Sequence, residues 1–454
     1  MNEISNKEEL INNYGNETNE EFNNGFQFVE LEFCDILGNP KVIQLTKDSF
    51  EKSKNSGIWF DGSSVKGFKE IYDSDMYLKP NLNNNFILQN ESGALVKRVF
   101  CDVYSKENLL HSCSPRTILK QTLDKARVKG FNLKVGPEIE FFLVEKKGDK
   151  IVPPSFDYNG SYLDHQVKDK SNEIRLEILN NLKSIGLPVD KAHHEVGTGQ
   201  HEIGLEYGDP LITADRIMIM KEVIRTVAQK HSLLATFMPK PFSKCAGSGM
   251  HIHFSLEDLS GNSLFYNPID QLHLSNLARN FIQAQLFFAK EMALILNPCI
   301  NSYKRLVPDH EAPVYICWGV GNRSALIRVP ISSIVANHHT HAEIRSPDGL
   351  CSPYLAFAAL LHVGLEGIDK KLDIMKDTNT NVFKENALDL SKKGITTLPT
   401  SLFESITYFK QSQLMLNMLG ESYFKRYIDI KEKEWQNYNQ LIVTDWEIEN
   451  YLFA

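Results

Sequence analysis

The stretch Gly136-Pro137-Glu138-Ile139-Glu140-Phe141-Phe142-Leu143, GPEIEFFL, reads as a β-strand. Side chains alternate along a strand, so Glu138, Glu140 and Phe142 share one face while Ile139, Phe141 and Leu143 share the other. Two carboxylates then stand side by side. At about 6 Å and an effective dielectric near 20 they repel by roughly 3 kcal/mol, and burial adds a desolvation cost. Whatever relieves that repulsion defines the chemistry of the site.

MHIHFSL, from Met250 to Leu256, has the same form. His251, His253 and Ser255 share one face, and Met250, Ile252, Phe254 and Leu256 the other. Gly247-Ser248-Gly249 precedes it and lets backbone amides approach an anion or a substrate main chain; no Gly-Lys-Ser/Thr follows, so this is not a Walker loop. HHEVGTGQHEIGLE adds Glu195 and Glu202 on either side of a Gly-Thr-Gly hairpin turn, and AEIRSPDG places Glu343 and Arg345 on one strand face. Singly, each fragment is satisfied by an ion-paired sheet surface.

Together they point to a metal. Glu138, Glu140, Glu195, Glu202 and Glu343 are hard oxygen donors, and with one or two imidazoles they favour Mg²⁺ or Mn²⁺ over zinc. Five acids exceed the needs of one ion. Two or more divalent cations would reverse the repulsion and suit phosphoryl transfer, for which Lys304, Arg305, Arg323 and Arg328 offer cationic clamps. The Pro308–Pro313 stretch reads as a loop able to act as a lid.

The rest of the chain frames these segments. Its 454 residues allow two domains, and 49 Lys plus Arg against 57 Asp plus Glu leaves no electrostatic footprint for nucleic acid or an anionic membrane. The seven cysteines are scattered without a CxxC pair, as in a reducing cytoplasm, and the polar first residues do not resemble a signal peptide. The apolar windows around Phe281–Leu296 and Tyr354–Leu365 read as buried helices.

Residues 1–24 read as a disordered polar tail, residues 25–111 as a small β-rich domain, and residues 112–454 as one large α+β domain. SPRTILKQTLDKARVKG is expected to be a helix capped at Ser114 and stopped at Gly130, and another helix runs from Asp209-Pro210 through Gln229. The asparagine run Asn81–Asn85 is expected to be a surface loop.

In this order, FDGSS at Phe60–Ser64, KPFSKCAGSGMHIHFS at Lys240–Ser255, the acidic pairs, KRLVP and EIRSPD resemble glutamine synthetase of the long bacterial and archaeal type, over nearly the whole chain after the tail. The resemblance implies a β-grasp-like N-terminal domain followed by a catalytic domain on a curved antiparallel sheet with flanking helices. It also implies synthesis of L-glutamine from L-glutamate, ammonium and ATP through γ-glutamyl phosphate. By it, Glu140, Glu195 and Glu202 would hold one metal, and Glu138, His251 and Glu343 a second that bridges the nucleotide phosphates. His253 and Ser255 would lie against the nucleotide.

Gly247, Arg305 and Arg345 would hold glutamate, Arg323 and Arg328 would neutralise the transferring phosphoryl, and Glu311 would close a flap. Asp61 of a neighbouring subunit would deprotonate ammonium in a pocket lined by Tyr162. The assembly implied is a homo-dodecamer of two hexameric rings with active sites between subunits. Departures fall at Ala246, where many relatives have Asn, and at His341, where they usually have Arg. The tyrosine adenylylated in some bacteria would fall at Leu388, so that control is expected to be absent. The rival readings are a γ-glutamyl ligase for a larger amine, which keeps the same metals, a non-catalytic oligomer, and a guanidino kinase of related fold.

Overall fold

The computed structural model describes residues 25–452 apart from 90–92, 158–159, 166, 309–311 and 333–339. The expected tail, residues 1–24, lies outside the described residues.

The N-terminal region forms a five-stranded sheet from β1 (Phe28–Cys34), β2 (Pro40–Thr46), β3 (Ile58–Asp61), β4 (Asp75–Gln89) and β5 (Leu95–Ser105). Its order is β2-β1-β5-β4-β3. Only the β1/β5 pair is parallel. With helix α1 (Lys47–Ser53) this is a β-grasp arrangement. Alternation in β1 sends Val29, Leu31 and Phe33 into the core and leaves Glu30 and Glu32 facing Arg98 of β5.

Asn81–Asn85 departs from the expected loop: it lies inside β4, where pairing with β5 breaks between Pro80 and Asn85. Side-chain amides take over there, Asn85 donating to the Leu82 carbonyl at 2.9 Å and Asn84 to Asp215 at 2.6 Å. Amide-rich side chains supply the bonds that the interrupted ladder lacks.

Helix α2 (Pro115–Val128) follows, with Pro115 in its first turn. Ser114 occupies the cap position without a side-chain cap bond, and Gly130 ends the turn at φ +84°. The larger sheet takes β6 (Asn132–Lys147), β7 (Lys150–Val152), β8 (Val189–His194), β9 (Gln200–Leu205), β10 (Leu234–Thr236), β11 (Met250–Glu257), β13 (Trp318–Val320), β14 (Ile327–Val329) and β15 (Ala342–Ile344), while β12 (Tyr315–Ile316) pairs with Thr396–Thr397 in a separate two-stranded sheet. Its order is β13-β14-β15-β11-β6-β9-β8, with β7 and β10 also paired to β6. All these pairings are antiparallel except β13/β14.

One face of this sheet is apolar. Ile139, Phe141, Leu143, Ile203, Met250, Ile252, Phe254 and Leu256 are fully buried. The helical layer includes α3 (Asn172–Ser184), α4 (Pro210–Lys230), α5 (Asn276–Phe287), α6 (Ala289–Leu296), α7 (Ser302–Arg305) and α8 (Pro353–Lys370). Asp209 caps α4 by accepting from the Leu211 and Ile212 amides, and Phe254 meets Phe281 of α5 at 5.3 Å between centroids. Gly364 of α8 lets that ring come close, since a Cβ there would lie 2.0 Å from Phe281.

The apolar core is continuous between the two sheets. Polar ties reinforce it. Arg98 binds Glu30, Glu32 and Glu222 of α4, while the fully buried Asp215 accepts from Arg116, Asn84 and Tyr354. Burial, offset only in part by Arg98, pushes the Glu32 carboxyl up to about 7.

His111, at the foot of β5, and His362, in α8, are held at about 4, chiefly by burial. The Nε2 of each has no hydrogen-bond partner among the described residues. Both bind their proton less readily folded than unfolded, so their contribution is full above pH 6.5 and is lost as pH falls toward 4, by about 2–3 kcal/mol each. Denaturant unfolding at pH 7.5 and pH 5 should show this loss shrinking in a His111→Gln/His362→Gln double variant; an unchanged loss refutes the assignment.

Candidate active site

The sheet register assembles the acids that lie far apart in sequence. On the polar face His253 of β11 stands opposite Glu343 of β15, which stands opposite Arg328 of β14. His251 pairs with Glu138 of β6, and Glu140 pairs with Glu202 of β9, which faces His193 of β8. The result is a diagonal stripe of charge across six strands. It floors a cleft of about 1380 Å³.

Each carboxylate is compensated differently. Glu138 lies 2.5 Å from Lys191, 3.2 Å from His253 Nε2 and 3.7 Å from His251 Nδ1. Burial opposes its ionisation, yet His251 and His253 hold its carboxyl below the usual carboxylate range. Glu343 is wholly buried and is held at about 2: burial would raise it, and Arg345, His253, His251 and Arg328 together prevail. Its oxygens accept from Arg345 Nη1 at 2.8 Å and Arg328 Nη1 at 2.6 Å.

Glu195 differs. Burial and the adjacent Glu140 and Glu202 push it up to about 7, against the opposing charge of His193, 3.6 Å away. This is uncompensated negative charge in a buried site, and the hard-oxygen donor set around it fits a divalent cation. Glu138 is common to two sets of potential ligands, with Glu202 and His251 in one and with His253 and Glu343 in the other. A further group joins His193 with Glu195 and Glu202, the last two expected together from sequence.

The hairpin bearing Glu195 and Glu202 is fixed from behind. The buried Asp157 accepts from His194 Nε2 at 2.9 Å and from the Gly199 amide at 2.6 Å, and His194 Nδ1 donates to the Glu195 carbonyl at 2.5 Å. Gly160 has no room for a Cβ, which would lie 2.5 Å from both Asp157 and His194. Gly199 makes the turn at φ +73°.

The glycine turn before β11 is also forced. A Cβ on Gly247 would lie 2.6 Å from Arg305 Cγ and 2.7 Å from the Pro239 carbonyl. The Gly249 amide donates to Glu140 at 2.8 Å. Arg305 spends its guanidinium on the carbonyls of Ser346, Pro347 and Arg345, at 2.7 to 3.2 Å, yet still lines the cleft. Arg345 Nε and Arg328 Nε are buried with no hydrogen-bond partner among the described residues. Arg323 pairs with Tyr162, whose ring meets His193 edge-on at 5.3 Å.

Of the positions expected from sequence, Glu138, Glu140, Glu195, Glu202, His251, His253, Gly247, Arg305, Arg323, Arg328, Arg345 and Tyr162 line the cleft. Glu343 lies beneath them, bonded to both arginines. Ser255 shares the strand face beyond His253 but does not line the cleft, and Glu311 lies outside the described residues. Asp61 is away from the cleft of its own chain, exposed on β3, where Ser63 and Ser64 hold its carboxyl low by hydrogen bonds. Ala246 and His341 line the cleft, His341 lying 5.2 Å from the His253 ring and 5.4 Å from Tyr207. Leu388 is exposed.

Sequence reasoning missed His193, Lys191 and the Asp157–His194 strut. Strand alternation back from Glu195 carries the signal for the first two, since Lys191, His193 and Glu195 are spaced by two.

Two family profiles match the chain: "Glutamine synthetase, beta-Grasp domain" over residues 25–106 and "Glutamine synthetase, catalytic domain" over residues 112–451. Proteins named glutamine synthetase from Thermotoga maritima and Halobacterium salinarum are 42% and 40% identical, each over 94% of this chain and over 96% and 94% of their own length. Among solved structures, GmaS in complex with ADP superposes with a TM-score of 0.86 at 28% identity, covering 95% of this chain and 98% of its own. The cryo-EM structure of Plasmodium falciparum glutamine synthetase gives 0.84 at 25%, covering 98% of each.

Asp157→Ala would strand the buried His194 ring and the Gly199 amide and should cost about 3 kcal/mol of stability. Denaturant unfolding of the variant measures it, and a loss below about 1 kcal/mol would remove the strut from the account.

Proposed function

The chain belongs to the glutamine synthetase family, and from that premise we propose how its residues divide the work of the reaction. The protein is a glutamate–ammonia ligase: it uses ATP to join ammonia to the γ-carboxylate of L-glutamate through γ-glutamyl phosphate, giving L-glutamine, ADP and phosphate. The family depends on ATP and divalent metals. The observation that carries the division of roles is the diagonal stripe, which sets five carboxylates against arginines in one cleft.

Mg²⁺ or Mn²⁺, two or more per site, would be held by Glu140, Glu195 and Glu202 on one side and by Glu138, His251 and Glu343 on the other. Bound there, such ions supply positive charge to ATP phosphates and to the oxygens that become negative during transfer. Glutamate would be gripped by Gly247, whose backbone is exposed for want of a side chain, and by Arg305 and Arg345. The Nε of Arg345, buried with no hydrogen-bond partner among the described residues, supports a ligand contact on that edge.

Arg323 and Arg328 would neutralise the transferring phosphoryl, a charge that must be met before a carboxylate oxygen can leave. His253, Ser255 and Arg323 would contact the nucleotide, and the similar fold of GmaS was solved with ADP. His341 in place of the usual Arg would weaken phosphate binding there. Ala246 removes an amide near the substrate amino group. Glu311 would close the flap against water.

Asp61 would take the proton from ammonium, acting from a neighbouring subunit across a pocket lined by Tyr162. Its exposure on β3, beside the exposed Trp59, supports that placement. Residues 25–111 would then contribute Asp61 to a site whose cage comes from residues 112–454. The assembly would be a homo-dodecamer of two hexameric rings. The cytoplasm is the compartment that suits seven unpaired cysteines, and among the described residues no helix is long and apolar enough to cross a membrane.

Phosphate release with glutamate, ATP and Mg²⁺ should be stimulated most by ammonium when ammonium, alkylamines and polyamines are compared. Stimulation by a bulky amine alone would transfer the function to the γ-glutamyl-amine ligase reading. Asp61→Ala and Glu343→Gln should each lower kcat by 10²-fold or more, on the order expected for loss of a proton acceptor or a cage ligand. Co-expressed, the two inactive chains should regain roughly a quarter of wild-type activity, the share of sites that random mixing leaves whole. No recovery would place both residues in one subunit's site.

A further inference from the structure

The cage contains a cation of its own. Lys191 reaches in from β8 and sets its ammonium 2.5 Å from Glu138 Oε1. Half of the lysine side chain is exposed, whereas Glu138 is only 13% exposed, so the stem runs from the rim inward. Lys191, Gly204 and Glu138 stand in one row across β8, β9 and β6. The lysine stem passes over Gly204, where a Cβ would meet it in ordinary van der Waals contact, 3.5 Å from Lys191 Cγ and 3.7 Å from its Cε.

Glu138 also belongs to two of the groups of potential metal ligands, with His253 and Glu343 in one and with Glu202 and His251 in the other. An oxygen that ligates Mn²⁺ or Mg²⁺ does so at about 2.1 Å, so an ammonium 2.5 Å from that same oxygen would lie within about 4.6 Å of the ion. At that separation the two cations repel, and the repulsion is stronger in a half-buried site than in water. The ammonium and the metal therefore compete for one group.

Resting on the metal-cage reading above, we propose that Lys191 is a resident competitor for divalent ions at Glu138: it neutralises the carboxylate in the metal-free protein and must withdraw before Glu138 serves as a ligand. The exposed half of its stem gives it somewhere to go, and its four-carbon chain is flexible. Metal affinity at the positions that use Glu138 is thereby set below what the donor set alone would give. His251 and His253 flank Glu138 beside Lys191 but are themselves on a strand face from which they cannot withdraw, and the other cage cations serve other acids. Arg328 and Arg345 hold Glu343, and His193 pairs with Glu195 and Glu202.

The test is a Mn²⁺ titration of the intact oligomer without nucleotide, followed by the electron paramagnetic resonance of free Mn²⁺ and by calorimetry. Lys191→Met keeps the stem and removes the charge. Lys384→Met removes a lysine that lines the same cleft and for which no ion pair with a cage acid is present among the described residues. Lys191→Met should bind its weaker Mn²⁺ about fivefold tighter, near the upper range for one partly exposed ion pair, and Lys384→Met should stay within about twofold of wild type.

Melting temperature supplies a second readout: without metal Lys191→Met should melt lower than wild type, and its gain on adding Mn²⁺ should be larger. Equal tightening in both variants would assign the effect to the general field of the cleft and overturn the proposal. Equal affinity in wild type and Lys191→Met would overturn it while leaving the cage standing. Absence of Mn²⁺ binding in all three proteins would overturn the cage reading itself, and this inference with it.

Discussion

Five carboxylates within one sheet face repel one another, and the rest of the structure is arranged around that repulsion. The chain meets it with fixed partners at Glu343, with imidazoles and one mobile ammonium at Glu138, and hardly at all at Glu195. That gradient is informative. A surface whose only task was to be stable would pair every acid, whereas a site that must receive external cations leaves some of its negative charge unanswered.

The precision of the arrangement comes from hydrogen-bond ladders and not from the acidic side chains. Glu138 faces His251, Glu140 faces Glu202, and Glu343 faces both His253 and Arg328 because the antiparallel registers put them there. The registers in turn are held by the apolar face, where Ile139, Met250, Ile252, Ile203 and Phe254 pack against the helices. A slip by one residue would turn every acid into the core and every apolar residue outward, so hydrophobic burial enforces the geometry of charge.

Much of this was legible in the chain. The two-residue alternation in GPEIEFFL and MHIHFSL was enough to assign faces, and Asp209-Pro210 and Ser114-Pro115 marked real helix starts. Alternation, however, says nothing about which strand pairs with which. The division of ligands into two sets therefore rests on the family resemblance and not on the alternation, and Glu138 has neighbours in two of the groups of potential ligands. His193 and Lys191 were passed over for a related reason: their importance lies in partners on β9 and β6. Asn81–Asn85 lies in a strand because its side-chain amides find acceptors within the fold, Asn84 in Asp215 and Asn85 in the Leu82 carbonyl, where a polar run by itself reads as a solvated loop.

Asp215 carries one more implication. This single buried carboxylate is bonded at once to a strand of the first sheet, to α2 and to α8, while sitting in α4. Swinging the N-terminal sheet away from the helical layer would break the Asn84 bond to Asp215 together with the Arg98–Glu222 and Arg116–Asp102 pairs across the same junction, leaving buried charges short of their partners. Hinge bending between the two regions is thus closed off as a way of sealing the cleft, and any gating during turnover has to come from segments at its rim, which can shift without disturbing that junction.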